Sequence, residues 1–271
     1  MYVVPFKNLR LSFFKKTLLI LGTSIALMTQ WACSPAQGKN APPSIILGTS
    51  ADYPPFEFFK HGEVVGMDIE LAKSIAQELG MQLIVKEMDF SALIPALQTG
   101  QVDFIMAGLT ITEERKQNVE FSDVYYNNEL ALISTPQKQF RSLKDLSHQK
   151  IGVQLGSVME KFAQNQAQFI PGLQVVSRGK TPLLIEELKT RRIDGILVEK
   201  VQAMALSQAN SALKPFFLPE LESNKGEGYA IAFSKRTPRG KELRDQFNLV
   251  LKRLQNNGTL QSFKQKWIAG N

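Results

Sequence analysis

The sequence predicts an α/β protein built from two similar lobes. Two observations carry that prediction. Apolar segments of strand length alternate with segments of helical periodicity, the pattern of α/β units with a largely parallel sheet. The chain also repeats itself: residues 96–108, ALQTGQVDFIMAG, align with residues 187–199, ELKTRRIDGILVE, at an offset of 91. The two segments share Leu, Thr, Asp and Ile, and Val102 is matched by Ile193. Each reads as a helix end, a tight turn carrying Asp103 or Asp194, and a buried strand. Ligands of open α/β sheets bind beyond the carboxyl ends of strands. The repeat puts Gly108 and Glu199 at equivalent strand ends, one per lobe, so a cleft between the lobes is the expected site.

The individual elements follow in order. Residues 44–50, SIILGTS, read as a buried strand ending in a turn. From Asp68 to Leu79, apolar residues at Ile69, Leu71, Ala72, Ile75, Ala76 and Leu79 have helical spacing. Gly80 is the expected C-cap. Gln82 to Lys86 is the next strand, Leu93 to Thr99 a short helix closed by Gly100, and Val102 to Ala107 a strand. Met67, Met81 and Met106 are read as core.

At 271 residues the chain has room for one large domain or two of ordinary size. Its 44% hydrophobic and 21% charged residues are near the average of soluble globular proteins, which argues against disorder and against a multi-span membrane protein. The net charge of +7 is concentrated at the start. Lys7, Arg10, Lys15 and Lys16 lie in the acid-free segment 1–32, and without it 28 basic residues face 25 acidic ones. That excess gives no ground for a nucleic-acid partner. One Cys excludes an intramolecular disulfide, and two His argue against a His-rich metal site. No cofactor and no metal are expected.

Residues 1–32 read as a signal peptide. A segment ending in Lys15 and Lys16 precedes the apolar stretch TLLILGTSIALM, which is shorter than the ~20 residues of a membrane-spanning helix. Cys33 follows in QWACS, a position that resembles the lipidation site of bacterial lipoproteins. Ala32 fits that pattern and Gln30 departs from it. Cleavage near Ala32 or Ala36 without lipidation is the alternative. Residues 33–43 read as a polar, Pro-containing tether.

Several longer segments together resemble the extracytoplasmic solute-binding proteins of family 3, which serve ABC importers of polar and basic amino acids. They are GTSADYPPFEF (48–58), VGMDIELAKSIAQELG (65–80), DFSALIPALQTGQVDFIMAGLTITEERKQNVEFSDVYY (89–126), IGVQLGSVMEKF (151–162), RRIDGILVE (191–199) and GYAIAFSK (228–235). The resemblance implies the type II periplasmic-binding-protein fold, two α/β lobes joined by two hinge strands. Lobe 1 would comprise 44–132 plus 228–271, and lobe 2, with the hinge strands, 133–227.

It also implies a set of ligand-binding residues. A free amino acid carries two charges, and burying either without a partner is very costly. Its carboxylate suits the planar fork of Arg, which binds two oxygens at once. Arg115 stands at the family's carboxylate position, one turn after the expected N-cap Thr112 with Glu113 and Glu114 in the first turn. Thr110 adds a hydroxyl and an amide. Glu199 stands at the acidic position for the ammonium, where many relatives have Asp, and the Gly108 carbonyl is a second acceptor. Gly156 and Ser157 match a loop that offers backbone amides to the carboxylate from lobe 2. Val158 and Met159, where relatives are often polar, can give only backbone. Tyr53 and Phe90 would flank the ligand side chain, and Ser50, Asp52 and Gln154 would bond its far end. Some relatives for cationic ligands carry an acid where this chain has Ser50.

The expected function is therefore capture of a free amino acid by hinge closure, with arginine the first choice, and delivery to an ABC permease. The expected protein is a periplasmic or surface-held monomer, touching the membrane only through a lipid on Cys33, and no enzyme. A polar ligand such as glutamine, or a prephenate or arogenate dehydratase on the same fold, are the alternatives.

Overall fold

The computed structural model describes residues 42–127, 129–222 and 227–269. The expected signal peptide, Cys33 and the tether up to residue 41 lie outside the described residues. Among the described residues no helix is long and apolar enough to cross a membrane.

The chain first builds β1 (Ser44–Thr49), a small hairpin sheet of β2 (Asp52–Tyr53), β3 (Glu57–Lys60) and β4 (Glu63–Val65), then α1 (Met67–Glu78), β5 (Gln82–Glu87), α2 (Leu93–Gln98), β6 (Phe104–Ile105), α3 (Glu113–Lys116) and β7 (Val119–Phe121). It crosses to a second set: β8 (Leu130–Ser134), β9 (Lys150–Gln154), α4 (Val158–Gln166), β10 (Gln174–Arg178), α5 (Thr181–Lys189), β11 (Gly195–Glu199), α6 (Lys200–Ala209), β12 (Lys214–Phe216) and α7 (Pro219–Glu222). It returns for β13 (Ala232–Ser234), α8 (Pro238–Asn256) and α9 (Thr259–Lys264).

Two five-stranded sheets result, ordered β5-β1-β6-β13-β7 and β10-β9-β11-β8-β12. In each, the first three strands are parallel and the last two pairings antiparallel. The sheets are thus mixed rather than largely parallel, because each receives chain that enters from the other lobe and runs the opposite way. Residues 130–132, expected in lobe 1, pair in the second sheet, with Leu130 opposite Glu199 and Leu132 opposite Leu197. The strand expected over Val102–Ala107 is confined to Phe104–Ile105, the two residues paired on both sides.

Each sheet has an apolar cluster on both faces, which explains strands as uniformly apolar as GILVE. The core of the first lobe joins α1, α8 and α9, with Phe104, Phe233 and Phe247 in mutual edge and stacking contact.

The internal repeat is structural. Asp103 Oδ2 accepts the Ile46 amide and Asp194 Oδ2 the Lys150 amide, both at 2.8 Å. Each aspartate returns its own amide to the carbonyl of the same partner, at 2.8 and 2.7 Å. Two turns 91 residues apart thus clamp the start of the neighbouring strand in the same way. The crossing segments hold one another too: Ser122 donates to Ile231, Tyr125 to Tyr229 and Tyr229 to Tyr126 through their backbones.

Candidate functional site

The expected site residues converge. Tyr53, Phe90, Gly108, Thr110, Arg115, Gln154, Ser157 and Glu199 line one cavity with Ala107, Val158 and Met159. Its volume is about 10 Å³. A second hollow of about 300 Å³ adjoins it, sharing Thr110, Val158 and Glu199 and extending past Ile111, Leu130 and Phe162.

Arg115 reaches the cavity because Thr112 caps α3: its Oγ1 accepts the Arg115 amide at 3.1 Å, fixing the turn from which the side chain leaves. Arg115 is 9% exposed, and its guanidinium lies over the Phe90 ring at 5.4 Å. It donates to the Thr110 carbonyl at 2.7 Å and, across the cleft, to the Gly156 carbonyl at 3.0 Å. No acidic side chain among the described residues forms an ion pair with it. Burial lowers its pKa to about 10, with Glu114 opposing the shift.

Glu199 ends β11 and is 4% exposed. Tyr53 and Tyr229 both donate their hydroxyls to its Oε2. Burial raises its pKa to about 8 against the pull of the Tyr229 hydroxyl. Facing it from the first lobe is Gly108, whose φ of +53° is left-handed and so favours glycine. A Cβ there would touch the Tyr53 and Tyr229 rings at 3.4 Å.

The loop before α4 works differently from expectation. Ser157 caps α4, its Oγ accepting the Glu160 amide at 3.1 Å. Glu160 reaches back and takes the Gly156 amide at 2.7 Å. Gly156 therefore turns its carbonyl, and not its N–H, toward the site. Val158 and Met159, the first two residues of α4, line the cavity, and their amides have no partner inside a helix.

At the far end, Ser50 lies outside the cavity lining. Ser50 donates to Asp52 at 3.2 Å and accepts from Lys180 at 3.3 Å. Asp52 is committed to the opposite lobe, accepting the Thr181 amide at the start of α5 at 2.8 Å and the Gln154 amide group at 3.3 Å. Burial raises its pKa; the Thr181 amide and Lys180 oppose that. Lys180 also pairs with Glu87 and, at 3.5 Å, with Asp89. Further out, Lys161 of α4 meets Glu114 at 2.6 Å. Tyr229, Lys180 and the capping role of Asp52 were not foreseen. Tyr229 stands in the GYAIAFSK segment quoted above, but nothing local marks its hydroxyl for an acid 30 residues earlier. Among the described residues, no group of three or more acidic, His or Cys side chains could hold a metal.

A sequence profile of the bacterial extracellular solute-binding proteins, family 3, matches residues 45–270. The chain belongs to this family. Its sequence is 38% identical over 258 residues to the arginine-binding extracellular protein ArtP of Bacillus subtilis, covering 94% of this chain and 99% of that one. Among solved structures, an ancestral arginine-binding protein bound to arginine superposes with a TM-score of 0.76 at 35% identity, covering 84% of this chain and 99% of that one. An ancestral arginine-binding protein bound to glutamine does so with a TM-score of 0.76 at 37% identity, covering 83% of this chain and 97% of that one. Family membership and these neighbours fix the two-lobed type II fold.

Proposed function

We propose that the chain binds a free amino acid between its lobes. The observation that carries this is a buried guanidinium and a buried carboxyl on one cavity, Arg115 and Glu199, neither bonded to the other. Among the described residues the cation is bonded to carbonyls and the acid to phenols, and each is complementary to one end of a zwitterion. In this reading the carboxylate takes the Arg115 fork, Thr110 and the amides of Val158 and Met159. The ammonium takes Glu199 and the Gly108 carbonyl. Phe90 backs the guanidinium, so it holds Arg115 in place beside any contact with the ligand.

Entry requires motion. A cavity of about 10 Å³ holds about one water, so an amino acid enters only when the lobes part. The bonds that cross the cleft, Arg115 to Gly156, Asp52 to Thr181, Lys180 to Glu87 and Lys161 to Glu114, then re-form on closure. A ligand drives closure only through the contacts it gains in the closed state. The closed protein would dock on an ABC permease, as a monomer outside the cytoplasm, held at the membrane by a lipid on Cys33. The relatives named above are binding proteins, so binding without turnover is our reading.

L-arginine is the favoured ligand. All three relatives named above carry arginine in their names, and the far end of the cleft sets Asp52, Glu87 and Asp89 against the cation of Lys180. The glutamine-bound ancestral structure favours glutamine as second choice. A thermal-shift screen of the twenty amino acids tests the proposal. A ligand at 100 times its Kd adds about 2.7 kcal/mol. A screen in which no amino acid raises Tm would reject it.

A further inference from the structure

Beneath the cleft lies a group of side chains that the binding scheme leaves unused. Glu57 on β3 and Asp68 in the first turn of α1 are 1% and 0% exposed, and neither lines the cavity. Asp68 Oδ2 accepts the Gly108 amide at 3.0 Å and the Tyr125 hydroxyl at 2.8 Å. The other three oxygens of the two carboxyls, both of Glu57 and Oδ1 of Asp68, have no hydrogen-bond donor among the described residues. Buried polar atoms are nearly always satisfied, so three orphans on two neighbouring acids need a cause. Two carboxylates can only accept, and an apolar interior does not hold two like charges side by side. One proton makes one acid a donor to the other and removes one of the charges.

We propose that Glu57 and Asp68 share one proton, with the charge kept on Asp68, and that this pair positions the Gly108 peptide on which the ligand's ammonium rests. The assignment follows from the partners. Asp68 has two donors and sits in the first turn of α1, where the helix favours an anion. Glu57 has none. With its amide pinned by Asp68, Gly108 aims its carbonyl through the fixed left-handed φ of +53°. The titratable groups facing the pair are Tyr125 from the crossing segment and Asp52 from β2. Burial, then the charges of Asp68 and Asp52, hold the Glu57 pKa well above the ordinary carboxyl range. Burial lifts Asp68 to about 6, against the Gly108 amide and the Tyr125 hydroxyl. As pH falls through about 6, Asp68 gains a proton, the Gly108 amide loses its ionic acceptor, and ligand affinity drops.

The inference rests on the reading of Gly108 as an ammonium acceptor, and two of its tests need no ligand. In the full chain without ligand, the Gly108 amide resonance should titrate with an inflection near pH 6. In Glu199→Gln protein, which lacks the cleft acid that is itself protonated near neutrality, infrared spectra at neutral pH should show a protonated carboxyl band that Glu57→Gln removes. For binding, L-arginine is the probe. By calorimetry, Asp68→Asn should weaken it about tenfold at neutral pH and lose the affinity step near pH 6. Glu57→Gln, which keeps a donor toward Asp68, should lose less and keep the step. Should Asp68→Asn fail to fold, the wild-type resonance still decides. A Gly108 amide insensitive to pH, or a protonated band that survives Glu57→Gln in the Glu199→Gln background, overturns the proposal. Wild-type protein that ignores L-arginine overturns the ligand choice alone.

Discussion

The segments that lead to Gly108 and Glu199 begin as copies and finish as opposites. Both follow the same helix end, the same aspartate clamp on the neighbouring strand and the same buried strand. One then ends in a residue with no side chain, offering only its backbone. The other ends in a buried acid held by two phenols. The lesson is a division of labour within a duplicated unit. The aspartates serve the fold in both lobes, and the final residue of each copy is free to specialise. Four experiments would sharpen or break that comparison.

The largest effect is expected at the residue with no counterpart in the other lobe. Arg115→Ala should weaken amino-acid binding about a hundredfold or more, since it removes a charged donor worth about 1.5–3 kcal/mol per bond. Arg115→Lys should recover little of it, lacking the two-pronged geometry. Titration calorimetry with unchanged affinity would place the carboxylate elsewhere.

At the second strand end, Glu199→Gln should weaken binding by tens-fold and change its pH dependence. The ammonium needs the ionised acid. With the pKa raised to about 8, the ionised fraction grows with pH, so wild-type affinity should rise about tenfold per unit below about pH 8 and level off above it. Near neutrality, binding should release close to one proton, visible as a dependence of the binding enthalpy on the buffer's ionisation heat. The variant should release almost none. The sign for stability is the reverse. An acid whose pKa is raised on folding stabilises the folded state below its ordinary value, so the Glu199 contribution to ligand-free stability should shrink as pH climbs toward about 8.

At the first strand end, Gly108→Ala should cost about 1 kcal/mol through its left-handed backbone and weaken binding only several-fold, since the carbonyl remains. A loss as large as that of Glu199→Gln would mean that the two ends are not specialised. The smallest effect on binding is expected at the shared clamp. Asp103→Ala and Asp194→Ala should each lower stability by about 1 kcal/mol in urea unfolding and leave affinity in place.

How much of this was legible in the sequence depends on range. The repeat, the Thr112 cap that launches Arg115 and the acid at Glu199 are local patterns, and local patterns survive in one dimension. The mixed strand directions were not legible, because they depend on chain arriving from the other lobe. Nor was the commitment of Asp52 to the start of α5, 129 residues away, or the second phenol on Glu199. The Gly156 amide misled for a different reason. Glu160 competes for it from the first turn of α4, and a four-residue capping contact wins over a ligand that must come from outside.

The placement of β13 reaches beyond binding. It lies between β6 and β7, in the interior of the first sheet, and Leu243, Phe247, Val250 and Leu251 of α8 fill the core beneath it. The second sheet, by contrast, is drawn from one uninterrupted stretch of chain. Emerging from a ribosome or a membrane pore, the half that starts first must therefore finish last, waiting with a missing central strand until the carboxyl-terminal residues arrive.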